Sequence, residues 1–178
     1  WRSGFGFDNA CAMLAVVSSQ PLAYFLTWPT YGSRLHGDER GSVDREHNQP
    51  DTPMLDHNPK RLRWEREQMS LAPVVLTDEE RRIVAQTIQD HCVKREWELL
   101  ALAVQTNHVH VVVGYAGLAP ERMMSEFKAW ATRRLRKAGC RQNNQPLWVH
   151  HGSTRYLWKA RSVESAIAYI ELGQDMPR

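Results

Sequence analysis

The chain alternates between short apolar runs and helical apolar stripes. Residues 22–31 (LAYFLTWPTY) are aromatic and β-favouring, which predicts a strand ended by Pro29 and Gly32. Residues 32–75 then lose any period and are rich in glycine, proline and charge, which predicts a long loop with a short helix over 59–69. Thr77-Asp78-Glu79-Glu80 carries the T-x-x-E signature of a capping box. The helix it opens runs to about Arg95, with Ile83, Val84, Ile88 and Cys92 as its apolar face. Residues 96–104 (EWELLALAV) and 108–115 (HVHVVVGY) read as two strands of a hairpin turning at Gln105-Thr106-Asn107.

Pro120 and Glu121 open a second helix, which Gly139 ends; Met124, Phe127, Trp130, Ala131, Leu135 and Ala138 are its apolar positions. Residues 140–152 form a polar loop, and residues 154–159 (TRYLWK) alternate as a strand should. A last helix is expected with Ser162 as its cap, Val163, Ala166, Ile167 and Ile170 as its apolar face, and Gly173 as its stop. This order predicts an α+β fold: a ferredoxin-like βαββαβ sandwich with an antiparallel sheet and an added C-terminal helix. Residues 1–20 read as a disordered N-terminal extension, and 21–178 as a single domain with its long loop at 32–75.

Composition narrows the class. The length of 178 residues suits one domain, and no apolar run is long enough to cross a bilayer. Cys11, Cys92 and Cys140 are odd in number and widely spaced, unlike a disulfide framework or a zinc site. A reducing compartment, such as the cytoplasm, is the expected location. The net charge of +3 is modest, but its distribution is not. From Arg122 to Arg161 there are ten Lys/Arg and one acid, Glu126, a local charge of +9 that leaves −6 for the rest. Such asymmetry points to a polyanionic partner for the C-terminal half.

The candidate chemistry lies in Thr106-Asn107-His108-Val109-His110-Val111-Val112-Val113. Side chains alternate across a strand, so Val109, Val111 and Val113 should face the core while His108 and His110 share the other face. Two imidazoles at i and i+2 on one rigid strand can share a divalent metal. A bare His-x-His is more often plain polar sheet surface; the basic segment just downstream favours the metal reading here.

TNHVHVVV resembles the histidine–hydrophobe–histidine motif of the HUH nucleases, and the wider likeness is to their single-tyrosine transposases. These include the small insertion-sequence and REP-associated tyrosine transposases. The segments YFLTWPTYGSRLHGDERGSVDR (24–45), FKAWATRRL (127–135), GSTRYLWK (152–159) and AIAYIELGQ (166–174) resemble successive segments of such proteins in the same order. The resemblance implies metal-dependent cleavage and transfer of single-stranded DNA through a 5′-phosphotyrosine. It implies Tyr169 as the nucleophile, with Tyr156 and Tyr115 as runners-up; Tyr156, inside a strand, reads as structural. It implies Mg2+ or Mn2+ on His108, His110 and a third ligand one turn past the tyrosine. Gly173 stands at that place, so Gln174 is the first choice and Glu171 the second.

Arg34, Lys128, Arg133, Arg134, Arg136, Arg155 and Lys159 are the candidate DNA contacts, and Arg34 belongs to a charged cluster with His36, Asp38, Glu39 and Arg40. Trp130, Trp148 and Trp158 are candidate stacking surfaces for unpaired bases. The expected partner is single-stranded or hairpin DNA, with no membrane, and the family's habit implies a homodimer. Two alternatives stay open: a domesticated REP-type enzyme acting on host repeat hairpins, and a non-catalytic DNA-binding module.

Overall fold

A computed structural model of the chain describes residues 20–33, 58–69, 71–142 and 144–172. The expected N-terminal extension (all but residue 20), the charged cluster Arg34, His36, Asp38, Glu39 and Arg40, and Cys11, Gly173 and Gln174 lie outside the described residues.

The elements follow the chain as β1 (Ala23–Pro29), α1 (Pro59–Gln68), α2 (Asp78–Arg95), β2 (Leu99–Val104), β3 (His108–Gly114), α3 (Pro120–Lys137), β4 (Ser153–Leu157) and α4 (Ala160–Glu171). The strands form one sheet in the order β2-β3-β1-β4, antiparallel at each pairing. This is the ferredoxin-like arrangement: β2 and β3 form a hairpin, and the crossovers through α2 (β1 to β2) and α3 (β3 to β4) leave β1 and β3 central.

Local signals explain most boundaries. The Thr77 hydroxyl accepts from the Glu80 backbone N–H at 3.3 Å, and the Glu80 carboxylate accepts from the Thr77 N–H at 2.9 Å. Pro120 stands at the first position of α3, where its missing N–H costs nothing. One expectation fails. Lys159, not Ser162, is the N-cap of α4, and no side chain makes a capping hydrogen bond there. The helix therefore starts directly after β4, and Ser162 lies inside it.

Two apolar clusters lie on opposite faces of the sheet. Tyr24, Leu26 and Trp28 of β1 and Val109, Val111 and Val113 of β3 pack against Val84, Ile88 and Cys92 of α2 and Met123, Phe127, Ala131 and Leu135 of α3. Trp28 and Phe127 stack there with centroids 6.2 Å apart. On the other face Ala23, Phe25, Ala101, Val112 and Leu157 meet Val163, Ala166, Ile167, Tyr169 and Ile170 of α4. The added helix thus closes the face that a bare βαββαβ unit would leave in water.

Glu80 has a second role. Its carboxylate, 3% exposed, also accepts from Arg141 Nη2 at 2.7 Å, and Arg141 Nη2 bonds the Val75 carbonyl at 2.9 Å. One carboxylate thereby caps α2 and holds the loop after α3. No described helix is long and apolar enough to cross a membrane.

Candidate active site

The β1–β3 register builds the site. His110 pairs with Thr27 and His108 with Pro29, while Val112 pairs with Phe25. Odd positions of β3 face α2 and α3, so the two histidines share the α4 face, as the alternation requires. Their rings stand 4.5 Å apart at 79°. α4 brings Tyr169 to them: its ring lies 5.6 Å from His110 and 6.0 Å from Phe25. Phe25 also contacts His110, at 5.6 Å, so the three rings hold one another in place.

Both imidazoles are oriented through Nδ1. The His108 Nδ1–H donates to Asn107 Oδ1 at 2.7 Å. His110 Nδ1 lies 2.8 Å from Thr27 Oγ1. The Asn107 oxygen only accepts, so His108 carries its proton on Nδ1 and its lone pair on Nε2, the nitrogen that can then ligate a metal; the Thr27 hydroxyl holds the His110 ring through Nδ1 and leaves its Nε2 edge clear of that contact. The donor set therefore suits a divalent ion. Among the described residues no group of three His, Cys, Asp or Glu side chains that could hold a metal converges. Glu171 is exposed at the end of α4.

Thr27, Asn107 and Phe25 are the residues sequence reasoning missed. Asn107 adjoins the motif and was legible as a partner. Thr27 and Phe25 are brought in by strand pairing across more than eighty residues, and no local signal marks them. Gly152 belongs to the same frame. A Cβ there would lie 2.6 Å from the Thr27 carbonyl oxygen and 2.6 Å from Met124 Sδ, so only glycine lets β4 enter beside β1.

The family model described as "Transposase IS200 like" matches residues 73–171, which is more than half of the chain. The chain belongs to the IS200-like transposase family. The match begins just before α2 and ends with α4, so it contains His108, His110 and Tyr169 but not β1. A comparison with curated proteins gives no match. Among solved structures, one assigned as a transposase of Deinococcus radiodurans R1 aligns over 97% of both chains at 18% identity, with a TM-score of 0.48. A REP-associated tyrosine transposase bound to a REP hairpin aligns over 85% of this chain and 65% of that one at 12% identity, with a TM-score of 0.44.

The basic residues of this transposase-family chain fall into two groups. Arg133, Arg134 and Arg136 lie on α3, across the sheet from the histidines. Arg134 pairs with Asp90 at 2.9 Å, Arg133 lies over the Trp130 ring at 4.8 Å, and Arg136 Nη2 donates to the Gln145 carbonyl at 3.3 Å. Arg155 and Lys159 are exposed on and just after β4. Lys128 differs from expectation. Its ammonium donates to the carbonyls of Val149, His150 and His151, and burial lowers its pKa to about 8. It fastens the loop before β4 and does not present its charge to a phosphate.

The tryptophans also separate. The Trp148 indole N–H donates to the Lys128 carbonyl and to Thr132 Oγ1, which makes it a packing residue. Trp158 is 53% exposed. Tyr156, expected to be structural, is 47% exposed on the edge strand.

Proposed function

We propose that the chain cleaves and rejoins single-stranded DNA with Tyr169 as the nucleophile and a divalent ion, Mg2+ or Mn2+, at His108 and His110. The observation that carries this reading is the meeting of Tyr169 with His110 on the closed α4 face, in a chain of the IS200-like transposase family. His108 and His110 would hold the ion through Nε2, with Gln174 as third ligand and Glu171 as the alternative. When bound, the ion supplies Lewis-acid polarisation and orientation of the scissile phosphate.

The chain's own residues do the rest. The Tyr169 oxygen attacks phosphorus, the bond from phosphorus to the 3′ oxygen breaks, and a 3′-hydroxyl leaves. The product is a 5′-phosphotyrosine on Tyr169. A second 3′-hydroxyl reverses the step and joins the new strand without nucleotide energy. Phe25 packs the nucleophile's ring, Asn107 holds the His108 tautomer, and Thr27 orients the His110 ring. Arg133, Arg134, Arg136, Arg155, Lys159 and Arg34 are the phosphate contacts of this reading. The substrate is single-stranded or hairpin DNA, and the working form is a homodimer.

The test is incubation of the protein with single-stranded hairpin DNA and Mg2+ or Mn2+. A covalent protein–DNA adduct is expected, and it vanishes in Tyr169→Phe. An adduct that persists in that variant overturns the nucleophile. Binding without cleavage under either metal supports a DNA-binding module instead.

A further inference from the structure

The far end of the sheet carries an aromatic surface that the chemistry above does not use. β4 is an edge strand: it pairs with β1, and no described strand lies beyond it. Its side chains alternate. Arg155, opposite Phe25, faces the α4 side, where Phe25 packs on Tyr169. Tyr156, opposite Tyr24, faces the other side, and Trp158, just past the strand, stacks on Tyr156.

The rings form a connected series. Tyr24, almost fully buried, meets Tyr115 at 6.0 Å and Tyr156 at 5.2 Å, both edge-on. Tyr156 and Trp158 lie nearly parallel, at 15° with centroids 6.2 Å apart. Above the buried Tyr24, Tyr115, Tyr156 and Trp158 are 37%, 47% and 53% exposed. These are flat, pre-ordered π-faces fixed on a sheet, which is what unpaired bases stack on.

The β4 edge between the two faces carries positive charge that suits a polyanion. Arg155, Lys159 and Arg161 are exposed along β4 and the start of α4. Glu121 lies on the platform side, where it accepts from the Thr154 hydroxyl at 2.7 Å and is outnumbered by these three cations.

We propose that Tyr156 and Trp158, backed by Tyr24 and Tyr115, form a stacking platform for unpaired bases of a DNA strand that leaves the Tyr169 side by crossing the β4 edge, with Arg155 meeting its phosphates. The inference rests on the DNA-strand reading above, but it concerns a second surface on the opposite face of the sheet. It makes the single-stranded flank, and not only the cleaved phosphate, a source of affinity.

The experiment is fluorescence anisotropy of the full chain with a labelled oligothymidylate, in the absence of cleavage. Tyr156→Ala and Trp158→Ala are each expected to weaken binding by roughly tenfold, the order of one lost base stack. Trp158→Phe, which keeps a π-face, restores most of the affinity, and Val93→Ala, at an exposed site on α2, leaves it unchanged. Unaltered affinity in both alanine variants overturns the platform. So does a wild-type dimer in sedimentation that both alanine variants convert to monomer, because the rings then belong to an interface between copies. Binding is read without chemistry, so a failure of adduct formation sinks the Tyr169 mechanism and leaves this surface to stand or fall on affinity alone.

Discussion

Thr27 and His110 meet across the β1–β3 ladder, with the threonine hydroxyl oxygen 2.8 Å from Nδ1 of the imidazole. The contact fixes which way the His110 ring points. Thr27 lies outside the segment that matches the family model, so the central strand supplies the motif's support from elsewhere in the chain.

Thr27→Val keeps the β-branched shape and removes the hydroxyl. Isothermal titration with Mn2+ should show affinity falling by roughly tenfold or more, the usual effect of losing such a partner. Thr27→Ser should stay near wild type. Equal affinity in the valine variant would show that the hydroxyl does not orient the ligand.

Phe25 touches both the His110 and the Tyr169 rings. Phe25→Leu keeps an apolar side chain but removes the flat surface that places Tyr169. Adduct formation should slow by up to roughly a hundredfold, the cost of misplacing a reacting group by about an ångström. Single-turnover rates on a hairpin substrate check this, and an unchanged rate would show that α4 places the tyrosine alone.

Burial would raise the Glu80 carboxyl, but Arg141 and the Thr77 backbone N–H outweigh it and hold it below its ordinary value of 4.5. The folded state therefore binds fewer protons there than the unfolded state. The stabilisation is complete above the ordinary value and is lost as pH falls through the folded one. Arg141→Met leaves Glu80 buried and unpaired, at a cost of about 3 kcal/mol near neutral pH. Urea unfolding at neutral and acidic pH should show the gap to wild type narrowing in acid, where Glu80 is protonated in both. A gap that widens in acid would contradict the assignment.

Arg133 and Arg134 stand on α3, on the face away from the histidines. Replacing both with glutamine should weaken DNA binding across sequences and flatten the salt dependence by about one unit of slope per lost phosphate contact. Titrations at several salt concentrations measure this. An unchanged slope would place the DNA elsewhere.

Much of the architecture was legible in the residues. The capping box at Thr77 and Glu80, the proline at the start of α3 and the alternation of His108-Val109-His110-Val111 are local signals, and each is realised in the fold. The start of α4 was misread, because Ser162 has the right chemistry for a cap but β4 runs straight into the helix at Lys159. Lys128 counted as one more positive charge in the sequence, whereas three carbonyls of a distant loop hold it in the fold.

By itself, the sequence determined that the two histidines share a face, because strand alternation is a property of the local backbone. It also determined the amphipathic helix that carries Tyr169. Only the tertiary structure decided that this helix covers that same face, that Thr27 and Phe25 hold the rings, and that the basic residues of α3 lie across the sheet from them. Those relations depend on which strands pair and which side each crossover takes. They are set by the burial of two apolar faces at once, and no single segment encodes them.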